Sequence, residues 1–313
     1  MKDQKFVSIV AYVRDDEPRV QQFFTTVVAT IAERFEKYEV IFVDDGSFDE
    51  SILRIKECAT DLPNDVTVQV IRMGVFQGLE AAMNAGTALS IGDFVFEFDT
   101  ITVDYQSTLV VDIYEHSISG FDIVAAIPPP PKGLVGIYYR IYNNTKVNSG
   151  YSLRRECFRV VSRRAINRVQ AMAKSTPYRK ASYLNSGMAY GYISFVPKDN
   201  TKRIYDSLAK SGRFGLALES LMLYTKAISN VTTILAIIFF AFAIAVGVYV
   251  IIIYFGAQRP IEGWAPMMGM LSVGFAGMFL ILTILIRYMS MTLHAVTVKQ
   301  NYTIASIDKI AHE

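Results

Sequence analysis

Two apolar runs of this sequence end in paired carboxylates that could bind a ligand. The run Val40–Val43 stops at Asp44 and Asp45, and a second run ends with Glu97 and Asp99 in FVFEFD. Ligands of open α/β sheets bind at the carboxyl ends of the strands, so carboxylates there could accept hydrogen bonds from a base or a ribose. The alternative for the first pair is a plain turn, because Asp-Gly is a common turn sequence.

Glu97 and Asp99 alternate with aromatic residues, so a strand would place both side chains on one face. Two carboxylates on one face suit a hard divalent cation, which takes oxygen ligands and can bridge a diphosphate. The competing interpretation is a strand end with one carboxylate at the rim and the other satisfied by a neighbouring arginine. The residue types alone leave these two interpretations evenly balanced.

Strand-like and helix-like segments alternate four times in the first hundred residues. The predicted strands are 6–13, 40–43, 66–73 and 94–99, with helical patterns between them, and the first predicted helix continues through Phe35. Such alternation predicts right-handed βαβ crossovers and a doubly wound, mostly parallel sheet. Neither G-x-G-x-x-G nor G-x-x-x-x-G-K-[ST] occurs, so the usual dinucleotide and phosphate-loop motifs are missing. A nucleotide site would therefore depend on the carboxylates at the strand ends.

Two long apolar segments follow, at about 231–255 and 265–287. Each exceeds the roughly 20 residues with which a helix crosses a bilayer, and the connector GAQRPIEGW is short, so we expect a transmembrane hairpin. Lysine and arginine are concentrated on the outer flanks, which predicts that both termini lie in the cytoplasm. The preceding segment, SGRFGLALESLMLYTKAISN, suits an amphipathic helix in the membrane interface, with an ordinary packed helix as the alternative.

Composition narrows the class of protein further. A formal net charge of +2 over 313 residues argues against nucleic acid as the main partner, which usually requires a basic face. Cys58 and Cys157 have neither metal-ligand spacing nor a disulfide framework, so a reducing compartment is expected. The N-terminal MKDQKFVSIV lacks the apolar core of a signal peptide. The sequence thus predicts a cytosolic domain tethered at its C-terminal end.

The motifs SIVAYVRDDEP, VDDGSFDES and GLEAAMNAGTALSIGDFVFEFD resemble glycosyltransferase family 2 with the GT-A fold. The chain is most similar to bacterial polyprenyl-phosphate glycosyltransferases related to dolichol-phosphate mannose synthase, with two C-terminal spans. FRVVSRRAI and the predicted interfacial segment fit the same group in the same order. The resemblance implies an α/β, Rossmann-like GT-A domain over 1–200, amphipathic juxtamembrane helices over 201–230, a transmembrane hairpin over 231–288 and a cytosolic tail over 289–313.

The resemblance implies inverting transfer of a sugar from a nucleotide diphosphate-sugar, expected to be a UDP-sugar, to undecaprenyl or another polyprenyl phosphate. The product would be a lipid-linked monosaccharide for modifying a cell-surface glycan or lipid. A homo-oligomer in the bacterial cytoplasmic (inner) membrane and Mg²⁺ or Mn²⁺ as cofactor are also implied. Two spans are too few to enclose a polymer channel unaided, which argues against a processive synthase.

The family's motifs also imply roles for individual residues. The nucleotide-sugar would be contacted by Asp15, Glu17, Asp44, Asp45, Gly78 and Asp99. Glu97 and Asp99 stand at the positions of the family's Asp-x-Asp motif and would hold the metal. The candidate catalytic residues are Asp99 and three arginines around the acceptor phosphate, namely Arg140, Arg159 and Arg213. Arg163 and Arg164 are expected at a helix surface or at lipid headgroups.

Three residues depart from the family's pattern. Asp15 replaces an Asn, Glu97 replaces the first Asp of the metal motif, and Ile101 replaces a Gln. Glutamate can ligate Mg²⁺ or Mn²⁺, but Ile101 can ligate nothing. These changes motivate a second hypothesis: a catalytically silent partner subunit of a glycan assembly system that binds a nucleotide-sugar or a lipid. Binding of UDP without transfer under any metal would favour that hypothesis.

Overall fold

The computed structural model describes residues 2–131, 133–145, 150–172, 178–198, 264–297 and 302–310, with short pieces of 230–248. The chain forms two compact units. The first comprises Met1–Asn144, Asn148–Ser220 and Val298–Glu313, and the second comprises Thr145–Val147 and Leu221–Thr297. The sheet and the predicted site residues that the structure describes all belong to the first unit.

The first unit is built on a sheet whose described strands are β1 (Asp3–Val13), β2 (Phe35–Asp44), β3 (Thr67–Met73), β4 (Phe94–Phe98), β5 (Ile123–Ile127), β6 (Phe158–Ser162), β7 (Tyr190–Ser194) and β8 (Ile304–Ile310). Their order in the sheet is β7-β5-β6-β4-β1-β2-β3-β8. β1 pairs in parallel with β2 and β4, β2 with β3, and β5 with β7. β6 and β8 run antiparallel to their neighbours. The predicted α/β, mostly parallel sheet is confirmed.

The described helices are α1 (Glu17–Phe23), α2 (Ala29–Arg34), α3 (Ser51–Ala59), α4 (Leu79–Leu89), α5 (Thr108–Ile118), α6 (Leu134–Thr145), α7 (Arg163–Met172), α8 (Arg179–Leu184) and α9 (Trp264–Thr297). A π-helical segment, Phe24–Val28, joins α1 to α2. The sequence predicted that the first helix continues through Phe35, which was wrong, because Phe35 is extended and begins β2. Its ring is buried in the core, 4.7 Å from that of Tyr114, so tertiary packing decides its conformation.

Helix α4 lies close to the sheet because the residues that face β1 and β2 are small. A Cβ atom added at Gly86 would lie 2.5 Å from the side chain of Val10 and 2.6 Å from that of Val43. Ala82 and Ala85 are fully buried on the same helix. This close approach positions the first turn of α4, including the buried Glu80, near the carboxyl ends of the strands.

Strand β8 was not predicted from the sequence. It pairs antiparallel with β3, and Arg72 on β3 lies 3.2 Å from Asp308 on β8. The N–H of Gly74 also donates to the carbonyl of Thr303 at 3.1 Å. Residues close to the C-terminus therefore complete one edge of the sheet.

The second unit includes helix α9, which spans 34 residues. Counting only the residues that the structure describes, no helix is long and apolar enough to cross a membrane. The predicted juxtamembrane helices and much of the first predicted span, 231–255, lie outside the described residues.

Candidate active site

The pairing of β4 with β6 places Glu97 directly opposite Arg159. In the adjacent pair, the rings of Phe98 and Phe158 stack with their centres 5.0 Å apart. Arg159 donates from Nη1 to Glu97 Oε2 at 3.0 Å and from Nη2 to Asp99 Oδ2 at 2.8 Å. Both carboxylates reach one guanidinium, so the prediction that they share a face is confirmed.

The first two residues of α8 bring two more cations to the same carboxylates. Arg179 donates from Nη1 to Glu97 Oε2 at 2.6 Å and from Nη2 to Asp99 Oδ1 at 2.8 Å. Its Nε donates to Glu80 Oε2 at 3.1 Å. Lys180 Nζ lies 3.0 Å from Asp99 Oδ2. Helix α8 therefore covers the end of β4 with positive charge.

Tyrosines and one further carboxylate complete the site. Glu156 Oε2 lies 3.0 Å from Arg159 Nε, and its Oε1 accepts the hydroxyl of Tyr190 at 2.8 Å. Tyr183 donates to Glu97 Oε1 at 2.6 Å. We call the seven charged residues the buried ion cluster: Glu80, Glu97, Asp99, Glu156, Arg159, Arg179 and Lys180.

Because the cluster is buried, its charged side chains are stable there only if they are paired with opposite charges. The side chains of Arg159 and Glu97 are fully buried and that of Arg179 is 2% exposed. Removing a charge from water costs several kcal/mol per ion unless a partner offsets it. Burial alone would raise the pKa of Asp99, but Arg159, Lys180 and Arg179 lower it far below its usual range. The pKa of Arg159 is raised because its carboxylate neighbours outweigh the effect of burial.

A divalent metal does not fit this cluster. Asp99 Oδ1 is bonded to Arg179, and Oδ2 contacts Arg159 and Lys180. Both oxygens of Glu97 are likewise occupied, Oε2 by the two arginines and Oε1 by Tyr183 and Thr87. A metal would have to displace these donors and add positive charge beside three cations. Among the described residues, no group of three or more His, Cys, Asp or Glu could hold a metal ion.

Asp45 clamps the loop after β3 to the end of β2. It is fully buried and accepts the N–H groups of Gln77 and Gly78, each at 2.8 Å, and the hydroxyl of Tyr12 at 3.0 Å. Gly78 has φ +89°, a conformation that favours glycine. Burial raises the pKa of Asp45 although these three donors oppose the shift. Asp44 accepts the N–H of Ser47 at 3.0 Å, which is the turn role that the sequence allowed.

The loops after β1 and β2 are also joined by a predicted site residue. Asp15 is exposed, has φ +49°, and accepts the N–H of Phe48 at 2.7 Å. The backbone N–H of Glu17 donates to Asp49 at 3.0 Å. Phe48 is 91% exposed. Since β4, β1 and β2 are parallel neighbours, these loops share an edge with Asp99 and combine acceptor oxygens with open aromatic surface.

The structure does not bring the predicted acceptor arginines together among the residues it describes. Arg159 is buried in the ion cluster, Arg140 is exposed on α6, and Arg213 lies outside the described residues. Arg163 donates to the carbonyl of Gly92 at 2.9 Å. Arg164 makes two hydrogen bonds to Asp122, at 2.9 and 2.8 Å, from the surface of α7. The roles predicted for Arg140, Arg159 and Arg213 stay predictions.

Sequence reasoning missed Arg179, Lys180, Glu80 and Glu156. Glu80 carried a weak signal, because a carboxylate among the small residues of GLEAAMNAG must find a partner if the helix packs closely. Nothing local identifies that partner as Arg179, which is 99 residues away. Ile101, at a position where the family has a Gln, is a fully buried core residue.

The family model for Glycosyl transferase family 2 matches residues 6–170, which is more than half of the 313 residues. A protein named as a glycosyltransferase from Mycobacterium tuberculosis (strain CDC 1551 / Oshkosh) is 34% identical over 119 residues, 38% of this chain and 34% of that relative. An undecaprenyl-phosphate 4-deoxy-4-formamido-L-arabinose transferase from Pectobacterium carotovorum is 27% identical over 127 residues, 40% of this chain and 37% of the relative.

The chain thus spans little more than a third of the length of these two relatives. Among solved structures, a mannosyltransferase from Pyrobaculum calidifontis in complex with GDP-Man and Mn²⁺ is 11% identical, with a TM-score of 0.48. That similarity covers 94% of this chain and 88% of the mannosyltransferase.

Proposed function

This chain belongs to glycosyl transferase family 2 and is a glycosyltransferase, and we propose that it transfers a sugar from a nucleotide diphosphate-sugar to a polyprenyl phosphate with inversion. The observation that carries the proposal is the buried ion cluster at the carboxyl end of β4. It collects three cations and four carboxylates, Asp99 among them, beside the loops that follow β1 and β2. Transfer between two phosphate-bearing substrates requires positive charge at such a place.

The donor is proposed to bind at the loops after β1, β2 and β3. Asp44 and Asp15 supply carboxylate oxygens for a base and a ribose, while Asp45 holds the loop around Gly78 in place. Arg14 lies 3.7 Å from the ring centre of Phe76, which is 57% exposed. An exposed aromatic ring backed by a guanidinium could stack against a base. We take a UDP-sugar as the first donor to test.

The reaction needs positioning more than a strong base. An acceptor phosphate with a second pKa of about 6 is largely ionised at pH 7. One of its oxygens attacks the anomeric carbon, the bond from that carbon to the diphosphate oxygen breaks, and the nucleoside diphosphate leaves. Lys180 is the most accessible of the three cations, at 9% exposed against 0% for Arg159 and 2% for Arg179. It is therefore our candidate to face the substrates' phosphates.

A lipid acceptor is supported by two observations outside the cluster. One is a property of the sequence: the apolar segments 231–255 and 265–287 each exceed the roughly 20 residues of a spanning helix, although no helix among the described residues is long and apolar enough to cross a membrane. The other is the naming of relatives. Several relatives are named undecaprenyl-phosphate transferases. We propose that the protein is a homo-oligomer of the bacterial inner membrane, with its catalytic domain and both termini in the cytosol. Its product would be a lipid-linked monosaccharide for a cell-surface glycan or lipid.

A catalytically silent nucleotide-sugar- or lipid-binding subunit is the second candidate. It is favoured by one observation: each carboxylate oxygen of Glu97 and Asp99 is already engaged by donors of this chain. A site whose carboxylate oxygens are all hydrogen-bonded within the protein could bind a ligand at its rim without catalysing sugar transfer.

The two candidates differ in acceptor-dependent release of nucleotide. The purified full chain in detergent would be given UDP- and GDP-sugars with and without undecaprenyl phosphate. We expect release of UDP that requires the lipid and falls at least about 100-fold in Asp99→Asn, because the uncharged amide would no longer hold Arg159, Arg179 and Lys180 in position. Asp112→Asn, an exposed position on α5, is the matched control and should keep full activity. Binding of UDP without lipid-dependent release from any donor would favour the silent subunit.

A further inference from the structure

The two carboxylates at the family's metal-motif positions are neutralised by cations of the same chain. Asp99 has three cationic atoms within 3.0 Å, from Arg159, Arg179 and Lys180. Glu97 Oε2 lies 3.0 Å from Arg159 and 2.6 Å from Arg179. These contacts fill the positions around both carboxylates that a metal ion would need.

We propose that Arg159, Arg179 and Lys180 take the place of a divalent metal, so that donor binding and sugar transfer proceed without Mg²⁺ or Mn²⁺. This inference rests on the proposed function. Guanidinium and ammonium groups hold phosphate oxygens by charge-assisted hydrogen bonds. Preorganised cations can also stabilise the charge that develops on a leaving diphosphate. The chain's own side chains therefore supply cationic hydrogen-bond donors at the place where a metal would otherwise bind.

The distribution of partners within the cluster points to Lys180 as the group that meets the diphosphate. Each arginine directs its Nη atoms to Glu97 and Asp99, while its Nε faces an outer carboxylate, Glu156 or Glu80. Lys180 contacts Asp99 at 3.0 Å and the carbonyl of Glu156 at 3.4 Å. An ammonium group has three donors, and these described contacts account for two.

The first test compares UDP binding by the full chain, measured by calorimetry in excess EDTA and in excess Mn²⁺. We expect the two dissociation constants for UDP to agree within about threefold. In a separate titration followed by electron paramagnetic resonance, the protein without nucleotide should not bind Mn²⁺ tightly. Lys180→Met should weaken UDP binding about tenfold in EDTA while leaving uridine binding unchanged, because uridine has no phosphate.

Two further variants separate charge from fold. Lys180→Arg keeps the positive charge and should retain most of the affinity for UDP. Lys56→Met removes an exposed lysine from α3 and should change neither UDP nor uridine binding. Equal loss of UDP and uridine binding in Lys180→Met would mean that Lys180 acts only through the fold, which would overturn its assignment.

The transfer assay separates failure of this inference from failure of the proposed function. Transfer at full rate in EDTA supports both. Transfer that requires Mn²⁺ or Mg²⁺ overturns metal independence and leaves the transferase standing. If UDP binds equally in EDTA and in Mn²⁺ but no sugar is transferred, the inference of a metal-free binding site stands and the proposed transferase function is contradicted. UDP binding only with Mn²⁺, or under no condition, overturns the inference.

Discussion

Arg179 and Glu97 form a buried hydrogen-bonded ion pair of 2.6 Å although they are 82 residues apart in sequence. Arg159 reaches the same Glu97 oxygen at 3.0 Å from the neighbouring strand. One carboxylate thus connects the end of the sheet to helix α8. Neither partner is accessible to water. Removing one of them would leave the other charge buried without a partner, which strongly destabilises the folded protein.

The first prediction concerns that penalty. Glu97→Gln keeps the shape of the side chain but leaves Arg159 and Arg179 short of one counter-charge. We expect it to lower the free energy of unfolding by about 3 kcal/mol, as for a broken buried pair. Chemical denaturation of the full chain in detergent would measure the change.

Glu57→Gln is the matched control. Glu57 pairs with Arg54 at 2.7 Å, but their side chains are 51% and 40% exposed. Removing such a surface pair should change the free energy of unfolding by less than about 1 kcal/mol. If both variants lost equally little stability, the ion cluster would not hold α8 against the sheet.

The second prediction concerns the loop that Asp45 holds. Gly78 has φ +89°, and nothing lies within 4 Å of the place that a Cβ atom would take, so Gly78→Ala introduces backbone strain without a clash. We expect a loss of about 1–3 kcal/mol in stability and weaker UDP binding, because the N–H of residue 78 would shift from Asp45. Thermal denaturation and calorimetry would measure both.

Gly150→Ala provides the comparison for this loop. Gly150 is exposed and also has nothing within 4 Å of a Cβ position, but it lacks the positive φ of Gly78. We expect Gly150→Ala to leave UDP binding unchanged. Unaltered UDP binding in Gly78→Ala as well would show that this loop takes no part in the nucleotide site.

The parallel core of the sheet could be predicted, whereas the ion cluster could not. Strands β1 to β4 are marked by local apolar runs ended by polar residues, a signal contained in each segment. β8 and α8 are positioned by contacts with residues that are distant in sequence. The local patterns in IASIDKI and RKASYL therefore do not predict those contacts.

The two interpretations of Glu97 and Asp99 show where sequence reasoning reached its limit. Their alternation correctly predicted a shared face, yet the choice between a metal and an arginine depended on the β4–β6 register. That register pairs Glu97 with Arg159 and, in the next position, Phe98 with Phe158, whose rings stack. Only the three-dimensional structure reveals that α8 adds Arg179 and Lys180.

The third prediction is a pH dependence of stability that arises from Asp45. Burial raises its pKa in the folded protein, above about 3.9 in the unfolded chain. Its contribution to stability is therefore fully present below the unfolded pKa and is lost as pH rises through the folded pKa. Asp45→Asn removes this titration. The melting temperature of the natural protein minus that of Asp45→Asn should fall as pH rises above the unfolded pKa of about 3.9.

Tyr12→Phe tests the pKa of Asp45 by removing one of its hydrogen-bond donors. The Tyr12 hydroxyl donates to Asp45 at 3.0 Å and lowers its pKa. Removing that hydroxyl should extend the loss of stability to higher pH. A melting-temperature difference for Asp45→Asn that grows with pH would contradict the raised pKa.

The transfer of a sugar to a polyprenyl phosphate is tested most directly by the mass of the lipid product. The full chain would be incubated with undecaprenyl phosphate and a panel of UDP- and GDP-sugars, and the extracted lipid analysed by mass spectrometry. We predict that one donor yields undecaprenyl phosphate carrying a single sugar residue, and that this product disappears in Asp99→Asn but not in Asp112→Asn. An unmodified lipid with every donor, from protein that binds UDP, would contradict the account.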